Sequence, residues 1–388
     1  MDHAAATPLD SQVFLAMKPF FNGVYGNPSS LHSQGQQADK ALAHARATIA
    51  SSLGAHPENI IFTSSGTESD NLAIYGVAKA HAQHGRHIIS SALEHDAVLK
   101  PLEDLKKQGW QITYIQPDNR GIIKTEDVMA AIRPDTVFIS LMHANNEIGS
   151  INPIAEIGRK LLQYRKNNNT TYPLLHTDAC QAVNYLDISV EKLHVDLMSI
   201  NGSKIYGPKG TGFLYIRNSV SLEPVILGGG QEKKLRSGTE NIPGIVGLAK
   251  AMELVQKNKA KESKRIESLA QYFWQKIQKQ IPDITLNGPA IGADRLINNI
   301  NINFAGIEGE ALLLYLDAYG VMCSTGSACS SKTLEPSHVL KALGMSYQES
   351  QGSVRFSFGK ENTKEQVDYV MKYLPKIVEQ LRQAEKIK

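Results

Sequence analysis

The sequence predicts an α/β protein with a large domain, built on a mostly parallel sheet covered by helices, and a smaller α/β domain at the C-terminal end. Three observations lead there. Helix-period and strand-like segments alternate through the first two thirds of the 388 residues, and strands separated by helices need crossover connections that favour a parallel sheet. A long Lys- and Gln-rich, helix-favouring stretch from Ile245 to Ile281 then breaks the alternation. Beyond it, shorter strands and helices alternate again. At roughly 150 residues per domain the chain holds two or three domains. The boundaries drawn are 12–250 for the large domain and 251–388, together with 1–11, for the small one.

The elements follow in order. Leu31, Ala38, Leu42, Ala45, Ile49 and Leu53 recur at helical spacing, and Gly54 is the stop signal. NIIFT (59–63) reads as a short buried strand, Glu68–His84 as a helix ended by Gly85, and His87–Ala92 as a strand. Residues 96–108 form a helix ended by Gly109, and Trp110–Ile115 a strand. Thr136–Met142, Leu174–Asp178, Leu197–Ile200 and Thr211–Ile216 continue the strand series. In the second domain, strands near 284–287, 298–303, 320–323 and 353–358 alternate with helices at 308–318, 336–343 and 363–382. Thr363 with Gln366 suits a capping box for the last helix.

Composition excludes several classes of function. The 41 Lys+Arg and 38 Asp+Glu give a net charge of +3, with 42% hydrophobic and 20% charged residues, the balance of an ordinary globular protein. No Lys/Arg cluster points to nucleic acid or to a charged membrane surface, and no run of about 18 apolar residues suits a transmembrane helix. The start, MDHAAATPLD, has neither signal-peptide nor transit-peptide character. Three cysteines without a CxxC pair argue against a disulfide framework and a structural zinc site. A cytoplasmic protein with free thiols and no metal is expected.

Ligands in such sheets bind at the carboxyl ends of the strands, and the candidates for chemistry collect there. After NIIFT come Ser64-Ser65-Gly66-Thr67-Glu68 at a helix start, where free N–H groups, a glycine and hydroxyls make an anion cradle. An ordinary cap uses the same residue types. His95 follows the strand 87–92. Asp178 ends an apolar strand, where a carboxylate needs a cation or strong hydrogen bonds. Lys204 follows Leu197–Ile200 directly, unlike a solvated lysine, and is suited to Schiff-base chemistry, with Lys209 as the alternative. A phosphate cradle, an imidazole, a buried acid and a strand-end lysine together suit pyridoxal 5′-phosphate. That cofactor needs a lysine for its aldehyde, a carboxylate for its ring nitrogen and an anion site.

In order along the chain, GTESDNLAI (66–74), EHDAVL (94–99), HANNEIG (143–149), HTDACQAV (176–183), SKIYGPKGTGFLYIR (203–217), GGGQEKKLRSGTEN (228–241) and STGSACSSKTLEPSHVLKALG (324–344) resemble the motifs of cysteine desulfurases. These are class V aminotransferase-fold enzymes of the iron–sulfur-cluster and nitrogen-fixation type. DHAAATP and GNPSSLH (26–32) fit the same family, so the resemblance spans nearly the whole chain. It implies a pyridoxal-phosphate-dependent transferase of fold type I, acting on L-cysteine as a homodimer and passing sulfur to acceptors such as an iron–sulfur scaffold protein or a tRNA-thiolation protein.

By the same resemblance, Lys204 would bind the cofactor's aldehyde, Asp178 would face its ring nitrogen, Gln181 its phenolic oxygen, and His95 would stack on the ring. Gly66, Thr67 and Ser203 would contact the phosphate, joined by Thr239 of the other subunit, and Asn146 and Arg355 would hold the substrate carboxylate. The chain departs from the family at one place: Asn201-Gly202-Ser203-Lys204 stands where Ser-Gly-His-Lys is usual.

The thiols divide by surroundings. Cys180 lies between the strand-end acid Asp178 and Gln181, and Cys323 in an apolar, strand-like stretch; both read as small hydrophobes. Cys329 lies between Ser324-Thr325-Gly326-Ser327-Ala328 and Ser330-Ser331-Lys332-Thr333, which have little to bury, so an exposed loop is expected. The resemblance puts Cys329 on the cysteine that takes sulfur as a persulfide, releasing L-alanine, with His95 as proton donor or acceptor near the sulfur. The competing readings are a selenocysteine lyase, another class V aminotransferase-fold enzyme, and a non-catalytic scaffold that keeps the fold.

Overall fold

Apolar residues on both faces of nearly every strand drive the chain into layers, described over residues 1–325 and 337–385 in the computed structural model. Two short helices, α1 (Ser11–Met17) and α2 (Pro19–Asn22), precede α3 (Ser33–Leu53). Ala38, Leu42, Ala45, Ile49 and Leu53 form the buried stripe of α3, and Gly54 ends it in the left-handed region at φ 68°. Close to the expected bounds follow β1 (Ile60–Thr63), α4 (Gly66–His81), β2 (His87–Ser91), α5 (Asp96–Lys107) and β3 (Gln111–Ile115). Next come α6 (Thr125–Ala130), β4 (Thr136–Ser140), α7 (Ile154–Asn167), β5 (Leu174–Asp178), α8 (Val190–Leu193), β6 (Leu197–Asn201) and β7 (Gly212–Ile216). The sequence expectations omit α7, although its buried Ile154, Ile157 and Leu161 carry a helical period.

The strands form a seven-stranded sheet in the order β1-β7-β6-β5-β4-β2-β3. The β3-β2-β4-β5-β6 run is parallel, β7 is antiparallel to β6, and β1 is antiparallel to β7, so every strand except β7 points the same way. Alternate residues feed opposite faces. Ile60, Phe62, Ile89, Ile139, Leu175 and Met198 join the core beneath α3 and α7. Ile61, Ile88, Phe138, Leu174 and Leu197 join the one that includes Leu72 and Val77 of α4 and Leu102 of α5.

Helix α9 (Ile242–Gln280) links this layer to a second core. Its Ile245, Leu248 and Met252 pack under the large sheet. Ile266, Phe273 and Ile277 pack with β8 (Ile284–Leu286), β9 (Asn299–Phe304) and α10 (Gly309–Asp317). The short α11 (His338–Ala342) and α12 (Tyr347–Gln351) lead to β10 (Ser353–Ser357) and α13 (Lys364–Glu385). The expected capping box is present: Gln366 N–H donates to Thr363 Oγ1 at 3.3 Å and Thr363 N–H to Gln366 Oε1 at 3.4 Å. One expected strand, 320–323, is absent. Gly320 turns at φ 72° and Val321 N–H closes on Leu316, so the apolar residues finish α10 instead. The antiparallel sheet is β10-β9-β8, and Asp2 and Ser324 make isolated bridges to β10. No helix among the described residues is long and apolar enough to cross a membrane.

Candidate active site

Strands that share a direction release their following segments at one edge of the sheet. There the segments after β1, β2, β4, β5 and β6 surround a cavity of about 400 Å³, completed by Ala4 and Ala5, Arg355 of β10, and His338 and Val339 of α11. Gly66, Thr67, His95, Asn146, Asp178, Gln181, Lys204 and Arg355 all line it, so most of the residues singled out in the sequence meet at one place. Lys209, the alternative lysine, is exposed and outside the cavity lining.

Local structure fixes each group. Lys204 closes a 3-10 turn directly after β6, and its Nζ donates to the Ala4 and Ala5 carbonyls. Gln181 Nε2 donates to the same Ala4 carbonyl at 3.0 Å. Asp178 ends β5, and its Oδ1 accepts the Cys180 N–H at 2.9 Å. His95 is the N-cap of α5; its Nδ1 accepts the Ala97 N–H at 3.0 Å, which leaves the ring proton of a neutral imidazole on Nε2. Arg355 gives Nη1 to the Asn146 carbonyl at 2.8 Å and Nη2 to Asp2 Oδ1 at 2.9 Å, while its buried Nε has no partner among the described residues.

Ser65 caps α4, and Gly66 and Thr67 open it, where helix geometry leaves N–H groups without intrahelical acceptors. A Cβ on Gly66 would meet Cys180 Sγ at 2.7 Å and Asn201 Cβ at 3.3 Å, so only glycine keeps this cradle open. Ser203, expected at the phosphate, is not among the cavity-lining residues; its backbone N–H and its Oγ both donate to Asn201 Oδ1, each at 3.0 Å. Thr239 is exposed and outside the cavity lining. Cys329 lies outside the described residues.

The cavity also holds acids that the sequence reading passed over. Asp70 and Glu94 are fully buried, and Asp70 Oδ1 and Glu94 Oε2 have no hydrogen-bond partner among the described residues. Burial pushes Glu94 up to about 8, although Ser91 Oγ and Met142 N–H donate to its Oε1 at 2.6 and 3.0 Å. Asp70 is held well above the usual carboxylate range, first by burial and then by the charge of Asp178. Its Oδ1 lies 3.6 Å from His176 Nε2, but burial takes that imidazole down to about 3, so the contact is no ion pair. Glu147 is raised by burial, and Ser337 Oγ donates to its Oε2 at 2.5 Å. Glu94 and Glu147 sit inside the EHDAVL and HANNEIG motifs, next to polar residues that give no local signal of burial. Burial also raises the thiols, Cys180 well above its ordinary value and Cys323 to about 12.

The Aminotransferase class-V family matches residues 1–370. A relative from Dictyoglomus turgidum, "Cysteine desulfurase IscS", is 48% identical over 382 residues, 98% of this chain and 95% of its own. The Methanosarcina thermophila protein of the same name is 46% identical over 382 residues, 98% and 92% of the two chains. Among solved structures, a "NIFS-like protein" superposes with a TM-score of 0.90 at 36% identity, covering 98% of this chain and 99% of its own. "SspA in complex with cysteine" has a TM-score of 0.78 at 35% identity, covering 92% and 97%. The chain belongs to the class V aminotransferase family, among its cysteine desulfurases.

Proposed function

We propose that the chain is a pyridoxal-5′-phosphate-dependent cysteine desulfurase that takes sulfur from L-cysteine as a persulfide on Cys329 and releases L-alanine. One observation carries this reading. Lys204 and Asp178 line a single cavity, and the residues flanking 326–336 are tied to that cavity from both sides. Ser324 and Arg355 exchange backbone hydrogen bonds at 3.2 and 2.6 Å. Ser337 donates to Glu147, and His338 Nε2 lies 2.9 Å from the Glu94 carbonyl. Cys329 belongs to the stretch of sequence between these two tethers.

The residues fit the cofactor. The cradle that a Gly66 side chain would fill, with the Gly66 and Thr67 N–H groups at the head of α4, suits a phosphate. When bound, pyridoxal phosphate supplies an electron sink for bond changes at the substrate carbon. Lys204 Nζ would hold its aldehyde and carry protons at that carbon. Asp178 would keep the ring nitrogen protonated, Gln181 would donate to the phenolic oxygen, and His95 would cover the ring. Thr239 of a second subunit would join the phosphate site in a homodimer.

Arg355 Nε, unpartnered among the described residues, and Asn146 suit the substrate carboxylate, because a buried guanidinium donor needs an acceptor. His95 would use its Nε2–H to move a proton at the substrate sulfur. Cys180 and Cys323, kept as thiols by burial, are poor nucleophiles. Residues 12–250 would form the large unit and 251–388 with 1–11 the small one, in a cytoplasmic enzyme serving an iron–sulfur scaffold or a tRNA-thiolation protein.

Purified protein given L-cysteine and a reductant should yield alanine and sulfide in equal amounts, with selenocysteine as the competing substrate. Cys329→Ser should lose sulfide release and keep the visible absorbance. Full sulfide release by that variant would move the sulfur to another thiol, and an adduct still fixed by borohydride in Lys204→Ala would move the aldehyde to another lysine.

A further inference from the structure

Asn201 and Ser203 stand where the resemblance leads one to expect a phosphate-directed serine and a histidine. Asn201 is the last residue of β6 and lines the cavity; Ser203 does not. The Asn201 carbonyl oxygen Oδ1 accepts both the Ser203 N–H and the Ser203 Oγ–H, each at 3.0 Å. A backbone N–H is only a donor, so its partner must be the amide oxygen, and the orientation of the side chain is fixed. Nδ2 therefore points the other way. It lies 3.7 Å from the position a Gly66 Cβ would take, at the head of α4.

We infer that Asn201 supplies, through Nδ2, a donor to the cofactor's phosphate beside the Gly66 and Thr67 N–H groups, and that Ser203 is a positioning residue that holds the amide in that orientation. The inference rests on reading the cavity as the pyridoxal phosphate site. An amide gives a phosphate oxygen a neutral donor, as a serine hydroxyl does, but its longer side chain needs an anchor to choose between its two ends. Ser203 provides that anchor with two bonds. The pair thus exchanges one serine contact for a two-residue device, in which the hydroxyl beside the lysine serves the amide rather than the ligand.

The test measures affinity, not turnover. Apoprotein is titrated with pyridoxal phosphate, and separately with pyridoxal, which lacks the phosphate, following the visible absorbance of the lysine adduct. Asn201→Ala should weaken pyridoxal phosphate about tenfold, the loss of one donor to a charged group, and leave pyridoxal within twofold. Asn201→Asp, which sets a carboxylate against the phosphate, should weaken it by about a hundredfold or more. Asn201→Ser, which keeps a donor, should stay within about threefold. Ser203→Ala should cost pyridoxal phosphate about threefold with pyridoxal unmoved, and Ser203→Thr should restore it.

Equal losses for both ligands in Asn201→Ala would mean a structural effect and overturn the assignment. A loss in Ser203→Ala larger than in Asn201→Ala would make the hydroxyl the contact and overturn it as well. Wild-type protein that takes up neither ligand would overturn the cofactor reading itself, an outcome told apart because every variant would then match the wild type.

Discussion

Buried acids in this molecule come in two kinds. Glu232 and Asp196 have their charges met on all sides. Arg46 binds Glu232 through two nitrogens at 2.7 and 2.8 Å, and the Phe62 N–H adds a third bond at 2.8 Å. Asp196 precedes β6, at the edge opposite the cavity, and takes Arg165 at 2.5 Å, Arg217 at 3.3 Å and the Leu175 N–H at 2.8 Å. Asp70 and Glu94 are as deeply buried, yet each keeps an oxygen without a partner among the described residues, and both are raised toward the neutral form. The first kind holds segments together. The second kind is tolerated where the fold keeps room for something else, as perturbed acids at a cleft generally indicate.

The largest effect expected in the cavity is on turnover. Asp178→Asn should reduce alanine production on the order of 10³-fold, the scale of a lost proton-holding group, while the melting temperature stays close to that of the wild type. If that variant unfolded early with its remaining activity intact, Asp178 would belong with Glu232 and Asp196. Glu232→Ala should do the reverse. Removing one partner leaves the Arg46 guanidinium, only 16% exposed, without its carboxylate, a cost of about 3–5 kcal/mol. Denaturant unfolding should show that loss with pyridoxal phosphate affinity unchanged.

This division explains what the sequence made legible. Elements with a clear apolar period and a stop residue, such as α3 before Gly54 or α5 before Gly109, fall close to their expected bounds. Lys204 and Asp178 were legible because a charged residue directly after an apolar strand has few uses. Glu94 and Glu147 were not, because nothing local distinguishes an acid that faces a cavity from one that faces solvent; only the convergence of β2, β4 and α11 buries them. The strand expected at 320–323 failed for a related reason. Apolar runs at a helix end and in a strand look alike, and Gly320 decided between them. Ser203 was placed by its neighbour Asn201, a pairing invisible to motif matching.

Glu94→Gln tests the comparison most finely. Burial raises the Glu94 carboxyl from an ordinary 4.5 to about 8 in the folded chain, so folding favours its protonated form. The stability it contributes is complete below pH 4.5 and is lost as pH rises toward about 8, where the folded group must ionise. His176 and His143, taken down by burial to about 3 and about 4, act in the opposite sense and cost stability as pH falls below 6.5. Subtracting the variant's pH profile from that of the wild type isolates Glu94 from both. Gln keeps an acceptor for Ser91 and Met142, so at pH 5 the two proteins should agree within about 1 kcal/mol. By pH 8.5 the wild type should have lost ground to the variant. Parallel profiles across that window would mean that Glu94 is charged in the fold like Glu232, and the two kinds of buried acid would be one.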